Sequence, residues 1–115
     1  MQRKFRLTRS DDFKRVRRNG KSYAGPLVVL IAEASETAGV HVGVTAGRTV
    51  GNAVHRNRAK RLLREAIRPF LPTLASGWDL MLIARPGLST ASLDQTRTAL
   101  GSLLRRAGLT SVDES

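Results

Sequence analysis

The sequence predicts an α+β domain, a two-layer sandwich with helices stacked on a small mixed sheet. Three observations lead there. Stretches rich in β-branched and aliphatic residues lie at 21–32 (KSYAGPLVVLIA), 40–45 (VHVGVT) and 78–84 (WDLMLIA). A long amphipathic segment, VGNAVHRNRAKRLLREAIRPF at 50–70, separates the second from the third, and another amphipathic segment follows. The chain has 115 residues, 41% of them hydrophobic, which suits one domain over 1–115 with one modest core.

Each element has its own local reason. Thr8 to Arg18 reads as a first helix, with Thr8 as cap and Asp11 and Asp12 near its positive end. Asn19-Gly20 suits a left-handed stop. Phe13 and Val16 share one face, a pattern that fits core more readily than ligand contact. The 21–32 stretch breaks near Gly25-Pro26, because proline cannot donate to a ladder. Residues 33–39 (EASETAG) read as a polar turn. In 40–45, valines alternate with His41, Gly43 and Thr45, predicting a strand with one buried face, antiparallel to the preceding strand as in a hairpin. Asn52 is the candidate cap of the central helix, after a glycine-bearing turn. Pro69 to Gly77 forms a loop. The 78–84 run is nearly continuously apolar, so it predicts a strand buried on both faces, joined to the previous strand by a parallel β-α-β crossover. Ser92 and Gln95 match a capping box for the last helix, Ser92 to Ala107, whose stripe is Leu93, Leu100, Leu103, Leu104 and Ala107. Gly108 stops it, and 110–115 read as a frayed polar tail.

The central helix carries the chemistry. At about 100° per residue, Ala59, Leu62, Leu63, Ala66, Ile67 and Phe70 form one apolar arc. Arg56, Lys60, Arg61, Arg64 and Arg68, with Asn57 among them, form the adjoining arc, and Arg58 projects apart. A solvated helix face ordinarily mixes signs. Here the only acid is Glu65, off the basic arc, so the arc reads as a phosphate-binding face. The whole chain agrees: 20 lysines and arginines against 9 acids give a net charge of +11, pointing to a polyanionic partner.

Other classes of function find little support. There is no cysteine, hence no disulfide framework and no thiolate metal site. The basic N-terminus has no apolar run of the secretory kind, and no stretch is long enough to span a bilayer. The turn before the central helix matches neither the P-loop nor the dinucleotide fingerprint. His41 and His55 have no acidic neighbour at a useful spacing, and no nucleophile–base pair stands out.

The run GNAVHRNRAKRLLREAIR resembles the signature of the bacterial ribonuclease P protein component. Its core is Arg56-Asn57-Arg58, with Val50-Gly51-Asn52 before it and Lys60-Arg61 and Arg64 after it. Asp12-Phe13, Gly20-Lys21-Ser22, Trp78-Asp79 and the helix from Ser92 extend the resemblance along nearly the full length. The resemblance implies a fold like the second domain of ribosomal protein S5, with a left-handed β-α-β crossover where general rules favour a right-handed one. It implies a protein subunit, one per catalytic RNA, in a cytoplasmic ribonucleoprotein that removes the 5′ leader from precursor tRNA. The RNA would carry the chemistry, with Mg²⁺ at the RNA subunit and the RNA–protein interface and no site held by protein alone. RNA-binding roles pass to Arg48, Asn52, Arg56, Asn57, Arg58, Lys60, Arg61, Arg64 and Arg68. A leader-binding cleft between the first helix and the sheet takes Phe13, Arg17 and Ile31. Three places depart from the common pattern. Gly47-Arg48-Thr49 stands for a Ser-Lys-Lys run, and Arg17 and Ile31 stand where the family often has aromatics.

Two other readings compete. A ribosomal or general RNA-binding protein of similar fold would share the basic face without the whole ordered motif. A cationic membrane-surface protein would need an exposed apolar face beside the basic one.

Overall fold

The structure, a computed structural model, describes Arg6 and residues 10–110. Four strands form one sheet in the order β1–β2–β4–β3, where β1 is Lys21–Ala24, β2 Val28–Ala34, β3 Val40–Ala46 and β4 Trp78–Ala84. β1 and β2 are antiparallel across the Gly25-Pro26 break, β2 and β4 are antiparallel, and β3 and β4 are parallel.

The expected hairpin between β2 and β3 does not form, because β4 lies between them. The burial demands of the strands explain the insertion. Leu80, Met81, Leu82 and Ala84 of β4 are all buried, so this strand takes a central place with partners on both sides. β3 alternates and occupies an edge, where one half-exposed face costs little. The parallel β3–β4 pair is joined through the central helix, as the sequence predicts. β2 also runs to Ala34, so Glu33 and Ala34 belong to the strand and not to the turn.

The three helices are α1 (Ser10–Asn19), α2 (Ala53–Ile67) and α3 (Leu93–Arg106). α2 and α3 cover one sheet face. Ala59, Leu63, Ala66 and Ile67 of α2 and Leu100, Leu103 and Leu104 of α3 form one core with Val28, Leu30, Val42, Leu80 and Leu82. Leu62 is only half-buried. Asn52 caps α2 by accepting from the His55 amide at 3.1 Å. After Ile67 the chain tightens into a 3-10 turn, Arg68–Thr73, that buries Phe70 and Leu71, where the sequence suggests only a loop. Ser92 and Gln95 exchange both capping-box bonds, at 3.0 and 2.9 Å. Thr110 is buried, with its hydroxyl 3.2 Å from that of Thr73, so it belongs to the fold and not to a frayed tail. The remainder of that tail, and Thr8, lie outside the described residues.

α1 packs on the other sheet face, beyond the two main layers. Val16 meets Ile31 and Met81 there, with Phe13, Val29 and Ile83 around them. α1 ends at Asn19, one residue past the expected Arg18, and Gly20 is not left-handed. A Cβ at Gly20 would sit 2.6 Å from both Ile31 Cγ2 and the Val16 carbonyl oxygen. Glycine is required there by close approach, not by backbone sign.

Candidate RNA interface

Two surfaces flank the outer edge of β3. The first lies under α1. Across β2, β4 and β3 its sheet face reads, in successive rows, Glu33–Asp79–His41, Ile31–Met81–Gly43 and Val29–Ile83–Thr45. Phe13 lies over Gly43 so closely that a Cβ there would fall 2.4 Å from the ring. Phe13, Lys14, Arg17, Thr45 and Met81 line a hollow of about 260 Å³. Phe13 is half-buried, so it packs against the small cluster under α1 and also walls the hollow. Arg17 is exposed beside it, one helical turn on. Ile31 does not reach the hollow. It is 6% exposed, beneath Val16 and against Gly20, and Met81 on the neighbouring strand lines the space instead.

The second surface is the outer side of α2. Arg56, Lys60 and Arg64 stand four residues apart and make one ridge, each half-buried. None of the three has an ion-pair partner among the described residues. Burial lowers the pKa of Arg64, and the positive charge of Arg6 lowers it further. Arg6 bridges to Val42 on the outer edge of β3, in parallel sense. Two cations therefore act on each other here without an intervening anion among the described residues. Asn57, Arg61 and Arg68 are exposed farther round the helix. Arg68 is paired with Glu65 at 3.3 Å. Arg58 points elsewhere, as the helical wheel indicates, and Arg61 turns toward it. Both line a hollow of about 480 Å³ with Val54, Leu62, Glu65 and Leu93, so Arg61 stands between the ridge and Arg58. Arg48 is exposed in a 3-10 turn before α2, and Asn52 is spent on capping.

An ionic group sits at the end of the first surface. Arg15 donates to Asp79 at 2.6 Å and to Asp12 at 3.2 Å, and it also meets Glu33. His41 Nδ1 lies 3.3 Å from the other oxygen of Asp79. The strand register thus gives His41 the acidic neighbour that its local sequence lacks. His55 is exposed in the first turn of α2.

The family profile described as Ribonuclease P matches residues 1–108. The chain belongs to the ribonuclease P protein family. It is 39% identical over 109 residues to the ribonuclease P protein component of Herpetosiphon aurantiacus, covering 95% of this chain and 89% of that one. It is 44% identical over 106 residues to that of Ruegeria pomeroyi, covering 84% of each. Among solved structures it resembles the Staphylococcus aureus RNase P protein at TM-score 0.83 and 26% identity, over 93% of this chain and 98% of that one. It also resembles the Thermotoga maritima RNase P protein, solved in complex with 1-(4-fluorophenyl)-2-thiourea, at TM-score 0.77 and 28% identity, over 87% and 97%.

Within this ribonuclease P fold, sequence reasoning missed Lys14, Thr45, Met81, Arg6 and the Arg15 group. Thr45 and Met81 were legible as strand residues, but their shared hollow depends on β4 lying beside β3. Arg6 depends on a long-range bridge that has no local signal.

Proposed function

We propose that this chain is the protein subunit of ribonuclease P, acting in 5′ maturation of tRNA with a catalytic RNA partner. The observation that carries the reading is the α2 ridge. Arg56, Lys60 and Arg64 stand without carboxylate partners among the described residues, on a helix whose opposite side is buried in the core. Such a ridge suits a run of RNA phosphates. A phosphate placed between Arg64 and Arg6 would relieve their mutual repulsion.

In this proposal α2, with Arg48 and Arg58 on flanking surfaces, grips the catalytic RNA. The hollow under α1 takes the single-stranded 5′ leader of precursor tRNA. Phe13 offers a ring for one base, while Lys14 and Arg17 offer charge for its phosphates. A single aromatic in the hollow makes leader binding here rest more on cations than on stacking. One protein serves one RNA, in the cytoplasm. Among the described residues no helix is long and apolar enough to cross a membrane.

The protein supplies binding and orientation, and the RNA supplies the chemistry with Mg²⁺. The described residues do not fit a protein-held Mg²⁺ site: where Asp12, Glu33 and Asp79 converge, the guanidinium of Arg15 stands among them and pairs with one oxygen of each.

The test is reconstitution. The chain with a bacterial ribonuclease P RNA should cleave precursor tRNA at the mature 5′ end at Mg²⁺ levels where the RNA alone is slow. The protein alone, free of contaminating nuclease, should not cleave. Cleavage by the protein without RNA, or no stimulation of the RNA, would refute the reading.

A further inference from the structure

The sheet face under α1 begins with an acidic row, in a chain of net charge +11. Glu33, Asp79 and His41 lie side by side on β2, β4 and β3, and Asp12 leans in from α1. Asp79 is only 5% exposed. Against these three carboxylates stands one guanidinium, that of Arg15, which touches all three. The hydrogen bond to Asp79 raises the pKa of Arg15 despite its partial desolvation. Both terminal nitrogens of Arg15 are therefore engaged by carboxylates of the protein. Three carboxylates outnumber Arg15 and His41 together, so a phosphate would be repelled from this end of the face.

Arg15 also occupies a telling position on its helix. At about 100° per residue, Val16 points down at Ile31 and Met81. Phe13 and Arg17, four apart, project on one flank, toward the hollow. Asp12 and Arg15 project on the other flank, toward the acidic row. α1 has ten residues, fewer than the roughly 12–15 that an isolated helix needs for even marginal stability. Its placement therefore comes from packing. The apolar contacts of Val16 and Phe13 are non-directional and by themselves define the roll of the helix less sharply than a directional bond does. The planar fork of Arg15, held by residues of β2 and β4, is directional.

We propose that Arg15 is a positioning residue for leader binding: by tying one flank of α1 to Asp79 and Glu33, it sets the roll that presents the Phe13 ring to the hollow on the other flank. The inference rests on the leader reading above. It removes Arg15 from the set of cations that meet RNA, where composition alone would place it.

The experiment uses the reconstituted ribonucleoprotein with Phe13→Ala, Arg15→Ala, Arg15→Lys and the Phe13→Ala/Arg15→Ala double variant. The readout is the ratio of affinities for precursor and mature tRNA across a salt series, alongside binding to the catalytic RNA and the melting temperature. Arg15→Ala should lower the ratio about tenfold, the scale of one base stacked on one ring. The double variant should be no worse than Phe13→Ala, because both changes remove the same contact. The salt dependence should not change, since no phosphate contact is lost, and Arg15→Lys should fall between the parent and Arg15→Ala. If Arg15→Ala does not fold, Arg15→Lys decides: a lowered ratio supports the inference and an unchanged one overturns it. Additive losses in the double variant, or a salt slope smaller by about 1, would overturn it by making Arg15 an ordinary phosphate contact. If Phe13→Ala lowers the ratio and neither Arg15 variant does, this inference alone fails. If Phe13→Ala leaves the ratio intact, the leader reading fails and takes the inference with it.

Discussion

Replacing Lys60 and Arg64 together with alanine isolates the electrostatic part of the α2 surface. Both stand on the ridge with Arg56, and neither has a carboxylate partner among the described residues. If each cation of the ridge and Arg61 neutralises one phosphate, binding to the catalytic RNA should fall with salt at a log–log slope of about −3 to −4, at roughly 0.7–0.9 per contact. The double variant removes two contacts, so the slope should shrink by about 1.5. Across a tenfold rise in salt, the parent should then lose about 30 times more affinity than the variant does. Alanine is the best helix former, and the buried stripe of Ala59, Leu63, Ala66 and Ile67 is untouched, so helix content should hold. Both side chains are half-buried, so a small loss of melting temperature from their aliphatic stems is expected. Circular dichroism checks the fold, and titration of the RNA from low to high salt reads the slope. An unchanged slope in a folded variant would refute the phosphate role of the ridge and leave it a solvated surface.

Other perturbations separate the site from the core. Gly43→Ala should displace the Phe13 ring, which a Cβ would approach to 2.4 Å, and so cost about 1–3 kcal/mol of stability. It should also weaken precursor tRNA binding more than mature tRNA binding in a paired affinity measurement. Leu63→Ala, at a fully buried position of α2, should cost about 2–5 kcal/mol in denaturant unfolding, with the salt slope of the folded fraction unchanged. Ser92→Ala removes the acceptor for the Gln95 amide and should cost about 1 kcal/mol by thermal melting, without effect on RNA affinity.

Local signals in the sequence were strong where one residue type had one structural use. Asn52 and Ser92 start helices in the structure as their side chains dictate. The Gly25-Pro26 break and the bounds of β4 follow from proline chemistry and from a nearly continuous apolar run. The pairing of β3 was not legible by adjacency, which favours a hairpin with β2. The better signal was already present in composition: a strand apolar on both faces belongs in the centre, and the alternating β3 belongs at an edge. Phe13 illustrates a different limit. Its spacing from Val16 fits a core residue and its place in the resemblance fits a cleft residue, and the structure gives it both surroundings. Ile31 has its cleft role from the resemblance alone. The side chain there is buried under α1, and Met81, one strand away and equally buried, lines the hollow.

The arrangement of the two surfaces follows from where the core lies. α2 and α3 bury their apolar sides against one sheet face, and that face holds the large core of leucines and valines. The opposite face has a smaller apolar cluster among the described residues, with Val16, Ile31 and Met81 buried and Phe13, Val29 and Ile83 partly so. Stability therefore resides mainly on the α2 side, and the α1 side can leave a hollow open at small cost. β3 is the strand between them, paired to β4 on one side and with its other edge meeting Arg6. Val40 and Val42 of this strand face the large core, while His41, Gly43 and Thr45 face the α1 side. Under the proposed function, the catalytic RNA and the leader would lie on opposite sides of this one strand. A change at Gly43 should then act on the leader and leave the RNA-facing ridge in place, whereas a change at Arg64 should do the reverse. Changes at the two positions are expected to combine additively in binding energy, because the sheet between them is rigid and they share no partner.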